Sequence, residues 1–343
     1  MKDFELLMLD GTNPSGVAMT RDILAASALF AARQGEPAPT WGLYSPSGGP
    51  VHLQGGIGAD SVRLPGRTQG TRSVLLVPGI WVTDARELRE RMQADDCRRA
   101  IRCIAAHIAC GGVVAASCSA VFLLQAAGAL SGRHATTTWW LAPELARIAP
   151  DTRVEANRIL CIDGPVITAG AAFAQSDLML HLLRQRFGAK LADGVSRVLL
   201  LHERGEQAQF VVPSVLASGS ALVTRLTQRV ESALPAVPSV TQLASELCVS
   251  ERTLGRHVRH ATGMGTIDMI QSIRLHRARN LLQNSRMNID QVAAAVGYRD
   301  ATALRRLMRK LAGTTPSRLR ATTLISRPGK STAPFANDKR STR

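Results

Sequence analysis

The chain has 343 residues, 45% of them hydrophobic and 20% charged, enough for about two globular domains and unlike an intrinsically disordered chain. Its 42 Lys+Arg exceed its 26 Asp+Glu, a net charge of +16, which favours a polyanionic partner. The six cysteines (Cys97, Cys103, Cys110, Cys118, Cys161 and Cys248) include no C-x-x-C pair and no metal-ligand spacing. That argues against a disulfide scaffold or a zinc module and fits a reduced, cytoplasmic compartment.

The N-terminus lacks the basic and apolar regions of a signal peptide, so none is expected. Residues 4–9 read as a first strand and 21–33 as a helix with Ile23, Leu24, Ser27, Ala28 and Ala31 near one face. Residues 73–77 read as a buried strand ending at Pro78-Gly79, and 95–110 as a helix. Residues 104–132 contain no Asp, Glu, Lys or Arg, which raises the question of a membrane span. His107, Gly111-Gly112 and Ser117-Cys118-Ser119 break the stretch. It reads instead as helix end, buried strand 113–116, sharp turn and second helix 120–128, with no membrane partner. A hairpin follows, with arms 157–162 and 166–168 around Asp163-Gly164, and then an amphipathic helix over 176–187. Strands alternating with helices predict an α/β domain with a largely parallel sheet over residues 1–190. Residues 191–238 are less regular and end in a Pro/Ala linker, so they are expected to connect two domains. Residues 239–322 show only helical patterns, and 323–343 form a basic Ser/Thr/Pro-rich tail expected to be disordered.

Charge is unevenly divided. Residues 235–343 hold 19 Lys+Arg and 6 Asp+Glu, leaving 23 basic and 20 acidic residues in the rest. An excess confined to the last third suits nucleic acid first and an anionic membrane second. Arginines decorating solvated faces would look the same, so the pattern must decide.

The pattern is a repeated helix-turn-helix. Ser239 with Gln242 is a capping box, and Leu243, Ala244 and Leu247 make an apolar stripe. Cys248 and Val249 form the turn, and Ser250 caps a second helix with Leu254 and Val258 inward. Arg252, Arg256 and Arg259 are left outward. The arrangement recurs in Asn288 with Gln291, in the stripe Val292, Ala293 and Val296, in the turn Gly297-Tyr298 and in the cap Asp300. There Leu304, Leu307 and Met308 point in, and Thr302, Arg305, Arg306 and Arg309 point out. The intervening helix, residues 266–284, spans roughly 27 Å. Both second helices could then enter successive major grooves, about 34 Å apart, on one side of double-stranded DNA. The seven outward residues are the expected base and phosphate contacts.

These residues resemble the AraC/XylS DNA-binding domain over roughly 236–322. The most specific match is VAAAVGY, the arginine-rich helix and G-x-x-P-S-x-x-R at Gly313, Pro316, Ser317 and Arg320. Leu304 and Leu307 stand where that family usually has Phe, which thins the core but spares the arginines.

In the first domain, residues 113–120 read as strand, sharp turn and helix, with Cys118 at the turn. That is the pattern of a nucleophile elbow, in which the helix dipole lowers a thiol pKa. A buried structural cysteine is the plain alternative, and redox sensing a further one. The run from Ser117 to Leu145, with Val77-Pro78-Gly79 and VITAGAAFAQSDLMLHLL, resembles the ThiJ/PfpI, class I glutamine amidotransferase-like family over about residues 3–190. The resemblance implies a flavodoxin-like parallel sheet sandwiched by helices, followed here by the all-α domain. Together the two resemblances imply an AraC-type transcriptional regulator with a sensor domain ahead of it.

In enzymes of this fold the elbow cysteine works with a His and an acidic residue. Here Thr138 stands in the place of the His, and Gly16 in the place of the acid. A threonine hydroxyl is no general base near neutral pH. His134 is four residues too early, and His107, His181 and His202 would serve only if the fold brought them close. The elbow is therefore expected to be a ligand-binding remnant without a catalytic residue, cofactor or metal. Gly79, Trp81, Ser117, Cys118, Ser119, Thr138 and Trp139 are the expected effector pocket, suited to a small polar metabolite or a cationic amine. Core packing is the other use of Trp139 and Trp140.

The resulting expectation is a cytoplasmic, nucleoid-associated transcriptional activator, a homodimer that binds promoter DNA, a small-molecule effector and RNA polymerase. The rival is a Cys118-dependent amidase or deglycase with a DNA-binding appendage. A third reading has the basic domain coating DNA without sequence preference.

Overall fold

The computed structural model describes residues 2–66, 69–201, 207, 220–312 and 315–317. The first strand, β1 (Phe4–Leu7), is buried along its whole length, with Phe4 and Leu6 facing one side and Leu7 the other. It lies between two parallel neighbours, β2 (Trp41–Ser45) and β5 (Val74–Val77). Beyond β5 come β6 (Val113–Ser117) and β10 (Val166–Ala169), both parallel. Beyond β2 comes β4 (Gly58–Arg63), also parallel. Antiparallel strands β3 (Gly49–His52) and β9 (Leu160–Asp163) close the two edges. The eight-stranded order is β3-β4-β2-β1-β5-β6-β10-β9. Strands β7 (His134–Ala135) and β8 (Arg153–Val154) pair separately.

Helices cover both faces, which explains why the central strands read as unbroken apolar runs rather than alternations. On one face α2 (Ala85–Met92), α3 (Asp95–Ala109), α4 (Val121–Ala126) and α5 (Ala142–Ile148) bury Leu88, Ile104, Leu123 and Leu145 with Leu7, Leu75 and Val114. On the other, α1 (Pro14–Gln34), α6 (Gln175–Phe187) and α7 (Ala189–Val198) bury Ile23, Leu180 and Val195 with Phe4, Leu76 and Ile167. This is the expected α/β sandwich with a mainly parallel sheet.

The structure departs from the sequence expectations in several details, among them the unanticipated α2, α5, β7 and β8. Helix α1 begins at Pro14, ahead of the expected Arg21, because proline suits the first helical position and Gly16 lets the helix approach Pro78. Strands β2, β3 and β4 were not anticipated, since they lie toward the sheet edge with mixed exposure and no apolar run. The stretch read as a connector contains two helices. α7 packs on the first domain, and α8 (Ala221–Ala233) supplies Val223, Leu226 and Val230 to a core of the second. The basic tail at 323–343 lies outside the described residues.

The second region holds α9 (Val240–Glu246), α10 (Glu251–Thr262), α11 (Thr266–Asn284), α12 (Ile289–Ala295) and α13 (Ala301–Ala312). It has two small cores joined by one helix. Met269, Ile270 and Ile273 of α11 belong to the first, and Leu275, Ala278 and Leu282 to the second. Among the described residues no helix is long and apolar enough to cross a membrane.

Candidate functional site

The first helix-turn-helix is α9, a four-residue turn (Leu247, Cys248, Val249 and Ser250) and α10. The Ser239 hydroxyl accepts from the Gln242 amide, and the Gln242 side chain accepts from the Ser239 amide at 2.9 Å. Such reciprocal bonds satisfy amides that a short helix leaves orphaned. Cys248 turns the chain at φ 58°, and Ser250 caps α10 through the Thr253 amide. Leu254 and Val258 are fully buried, and Arg252, Arg256 and Arg259 are exposed.

The second unit repeats this. Asn288 and Gln291 form the box, and Gly297 makes the turn at φ 84°. The Asp300 carboxylate caps α13 by accepting from the amides of Thr302 at 2.7 Å and Ala303 at 3.0 Å. Those amides hold its carboxyl below the usual range, so the cap stays ionised. Leu304, Leu307 and Met308 are buried, and Thr302, Arg305, Arg306 and Arg309 are exposed. All seven expected contact residues therefore lie on the solvent faces of α10 and α13. The Arg274 guanidinium sits 5.3 Å from the Tyr298 ring centroid and braces the second turn. Arg279, in contrast, is 6% exposed, and burial pushes its pKa down to about 10. Pro316 and Ser317 are described, whereas Gly313 and Arg320 lie outside the described residues.

In the first domain the elbow forms as expected at the carboxyl ends of parallel strands, where open α/β sheets place ligands. Cys118 follows β6 at φ 56°, and its amide donates to the Gly170 carbonyl at 2.7 Å. Gly79 has to be glycine, because a Cβ would fall 2.7 Å from Cys118 Cβ. The Ser119 hydroxyl accepts from the Ile80 amide at 2.9 Å and donates to the Ile80 carbonyl. The Thr137 hydroxyl donates to the Cys118 carbonyl at 2.7 Å. Gly79, Ser117, Cys118, Ser119 and Thr138 are thus brought together. Trp81 is 54% exposed, with its amide on the Gly11 carbonyl. Trp139 packs edge-on to Trp140 at 5.3 Å and lines a separate cleft toward Met264.

The thiol corrects one expectation. The helix start should have lowered its pKa, but Cys118 is 5% exposed and burial pushes the thiol up to about 11. Bonds from Ser119, Thr138 and the Ala172 backbone pull the other way and lose. Gly16 is buried, and a Cβ there would lie 3.0 Å from Pro78 Cβ, which leaves little room for an acidic side chain. His134 is half exposed and faces Glu155 at 3.4 Å, while the buried His107 meets the Val113 carbonyl at 3.0 Å. His181 lies on α6, and His202 falls outside the described residues. Sequence reasoning missed Gln207. Its buried side chain donates to the Thr137 carbonyl at 2.8 Å and the Ala156 carbonyl at 2.8 Å. Its Oε1, like the Ser117 hydroxyl, is buried without a hydrogen-bond partner among the described residues. No local motif marks such a residue, because its role comes from a long-range return of the chain.

Residues 243–322 match a helix-turn-helix domain model. The regulator GlxA of Rhizobium meliloti is 28% identical over 285 residues, 80% of this chain and 83% of that protein. CdhR of Pseudomonas aeruginosa is 27% identical over 209 residues, 60% of this chain and 62% of that protein, a match that spans under two thirds of its length. The transcriptional activator RhaR of Escherichia coli O1:K1 is 27% identical over 123 residues, 36% of this chain and 43% of that protein. A solved ThiJ/PfpI family protein from Pseudomonas syringae aligns at TM-score 0.47 with 15% identity, covering 75% of this chain and 90% of that one. Fold and repeated helical units together define a helix-turn-helix transcriptional regulator that binds DNA. The chain is thus similar to helix-turn-helix transcriptional regulators over most of its length, with the helix-turn-helix domain itself matched at residues 243–322.

Proposed function

We propose that this regulator reads DNA through Arg252, Arg256 and Arg259 of α10 and Thr302, Arg305, Arg306 and Arg309 of α13, under control of a small metabolite held at the elbow. The observation that carries the DNA contacts is the repeat itself: two capped units expose arginines at equivalent places on either end of one 19-residue helix. A duplex selected from random sequence by the full-length chain should show, for each protomer, two protected half-sites about 34 Å apart. Uniform protection that fades with salt would instead mark sequence-independent coating.

The effector site rests on the cluster of Gly79, Ser117, Cys118, Ser119 and Thr138. A partnerless buried hydroxyl at Ser117 and amide oxygen at Gln207 invite a small polar molecule. Trp81 stands exposed on the neighbouring loop, where it could cover an entrant. The chain acts as a regulator and not as an amidase or deglycase, because a thiol held near pKa 11 is a poor nucleophile without a base. Alkylation of the native protein at pH 8 should modify exposed Cys248 rapidly and spare Cys118. Fast labelling of Cys118 together with amide or glyoxal turnover would restore the enzyme reading. The folded state holds the Cys118 proton more tightly than the unfolded chain does. Its contribution to stability is therefore intact below about pH 9 and is lost as pH rises toward 11.

The other partners follow from the same reading. Exposed Ile57 and Val62 near the β3–β4 edge support a homodimer. Activation through contact with RNA polymerase draws on the relative named an activator. The same reading expects a cytoplasmic protein associated with the nucleoid.

A further inference from the structure

Helix α5 of the first domain lies against the first reading helix, α10. Gly263 caps α10 in a left-handed conformation, and the Pro143 ring covers it: a Cβ on Gly263 would sit 3.7 Å from Pro143 Cγ. Trp139, Ala142 and Ala146 face Thr262 and Met264 across a mainly apolar cleft of about 220 Å³. The same helix continues as one wall of a groove of about 1120 Å³. There Ala146 and Arg147 stand on one side and Arg252, Arg256 and Arg259 on the other. Helix α13 has a different setting, since its main packing partners are α11 and α12 of its own domain.

A reading helix is about 10–12 Å across, and the major groove that receives it is about 12 Å wide. Phosphate strands must therefore run along both flanks of α10 when it is inserted. Helix α5 occupies one of those flanks. We propose that α5 is an intramolecular lock on the first helix-turn-helix, which must move aside before α10 can read DNA. The proposal rests on the assignment of the α10 arginines to DNA.

The lock is shallow by construction. Glu144 is already shared between Arg89 at 2.7 Å and Arg147 at 2.7 Å, so the neighbouring carboxylate is committed to its own domain. Apolar contact holds the seam, while Arg147 adds positive charge to a groove already lined by arginines. Helix α5 is also wired to the elbow. The Thr138 carbonyl accepts from the amides of Leu141 at 2.9 Å and Ala142 at 3.1 Å, where α5 begins. Thr137, one residue earlier, is bonded to Cys118. A ligand that displaces the Thr137–Thr138 segment therefore bears directly on the lock.

The test uses the full-length chain, the Ala146→Trp variant and the Pro143→Ala variant. Ala146 is exposed, so a bulky neutral side chain there wedges the seam without entering either core. Pro143→Ala removes the ring from over Gly263. On the selected duplex the wild-type chain should protect the second unit's half-site at lower concentration than the first. Both variants should close that gap and tighten binding, about tenfold if the lock is closed ten times as often as open. Hydroxyl-radical oxidation of Met264 should increase when DNA binds. Equal protection of both half-sites by the wild-type chain, with unchanged affinity in both variants and Met264 no more reactive, overturns the lock and leaves DNA reading intact. Absence of sequence-specific protection by all three chains overturns both.

Discussion

The two helix-turn-helix units share one plan and differ where it meets its surroundings. Each has a capping box, a small buried alanine and a left-handed turn residue. In the first unit Cys248 holds that turn, exposed and with a β-carbon that disfavours it. In the second, Gly297 is enforced twice, by its φ of 84° and by Pro235, whose carbonyl oxygen leaves no room for a Cβ. The first unit is buttressed by α8 and faced by α5; the second packs Leu304, Leu307 and Met308 against α11 and α12 of its own domain. The difference teaches that a repeated local pattern does not imply equal surroundings. One unit abuts the first domain, while the other depends on its own small core.

Breaking the second core should have the largest effect. Leu304→Ala removes a fully buried side chain and should cost about 2–5 kcal/mol in urea unfolding. A cost well under that would mean the second core is not a cooperative unit. Gly297→Ala comes next, with about 1–3 kcal/mol from the left-handed backbone to which the Pro235 contact adds, and it should weaken protection of the second half-site first.

Arg305→Ala should leave the melting curve unchanged and lower specific affinity by about 1–3 kcal/mol if it reads a base edge. Binding measured against salt separates the roles, since loss of a phosphate contact lowers affinity for all sequences and reduces the slope by about one. Arg256→Ala makes the matching test in the first unit. Unchanged operator binding in Arg305→Ala would remove that residue from the interface. The smallest effect is a gain. Cys248→Gly should relieve the left-handed turn and stabilise the first unit by about 0.5 kcal/mol, read as a small rise in the unfolding midpoint.

The second domain was the more legible region because its signals are local. Ser239 with Gln242 and Asn288 with Gln291 are spaced to bond within one helical turn, and both boxes form. The inward stripes were equally plain, since Leu254, Val258, Leu304 and Met308 recur at helical spacing and are all buried. In the first domain the strands buried on both faces announced themselves, and the edge strand β9 did so through its Asp163-Gly164 turn. Strand β4, with Asp60, Ser61 and Arg63 partly or fully exposed, carries little apolar signal and is held by pairing with β2 and β3.

The elbow marks where local reading ended. Its strand-turn-helix was visible, and Cys118 does adopt the left-handed turn. Its electrostatics were not visible, because a thiol pKa depends on everything packed around it. Gly79, Thr138 and the Ala172 backbone come from three distant stretches of chain, and together they bury the group that a helix start alone would have activated. Gln207 and the α5–α10 seam arise in the same way.

By itself the sequence determined the class of each domain, the helical repeat and which arginines face solvent. Periodicity, capping and turn chemistry act over a few residues and survive in any tertiary setting. Only the tertiary structure decided that the elbow thiol is sealed, that α7 and α8 belong to opposite domains, and that α10 has the first domain at its side. Burial and long-range contact set those properties, and neither is written in the spacing of neighbouring residues.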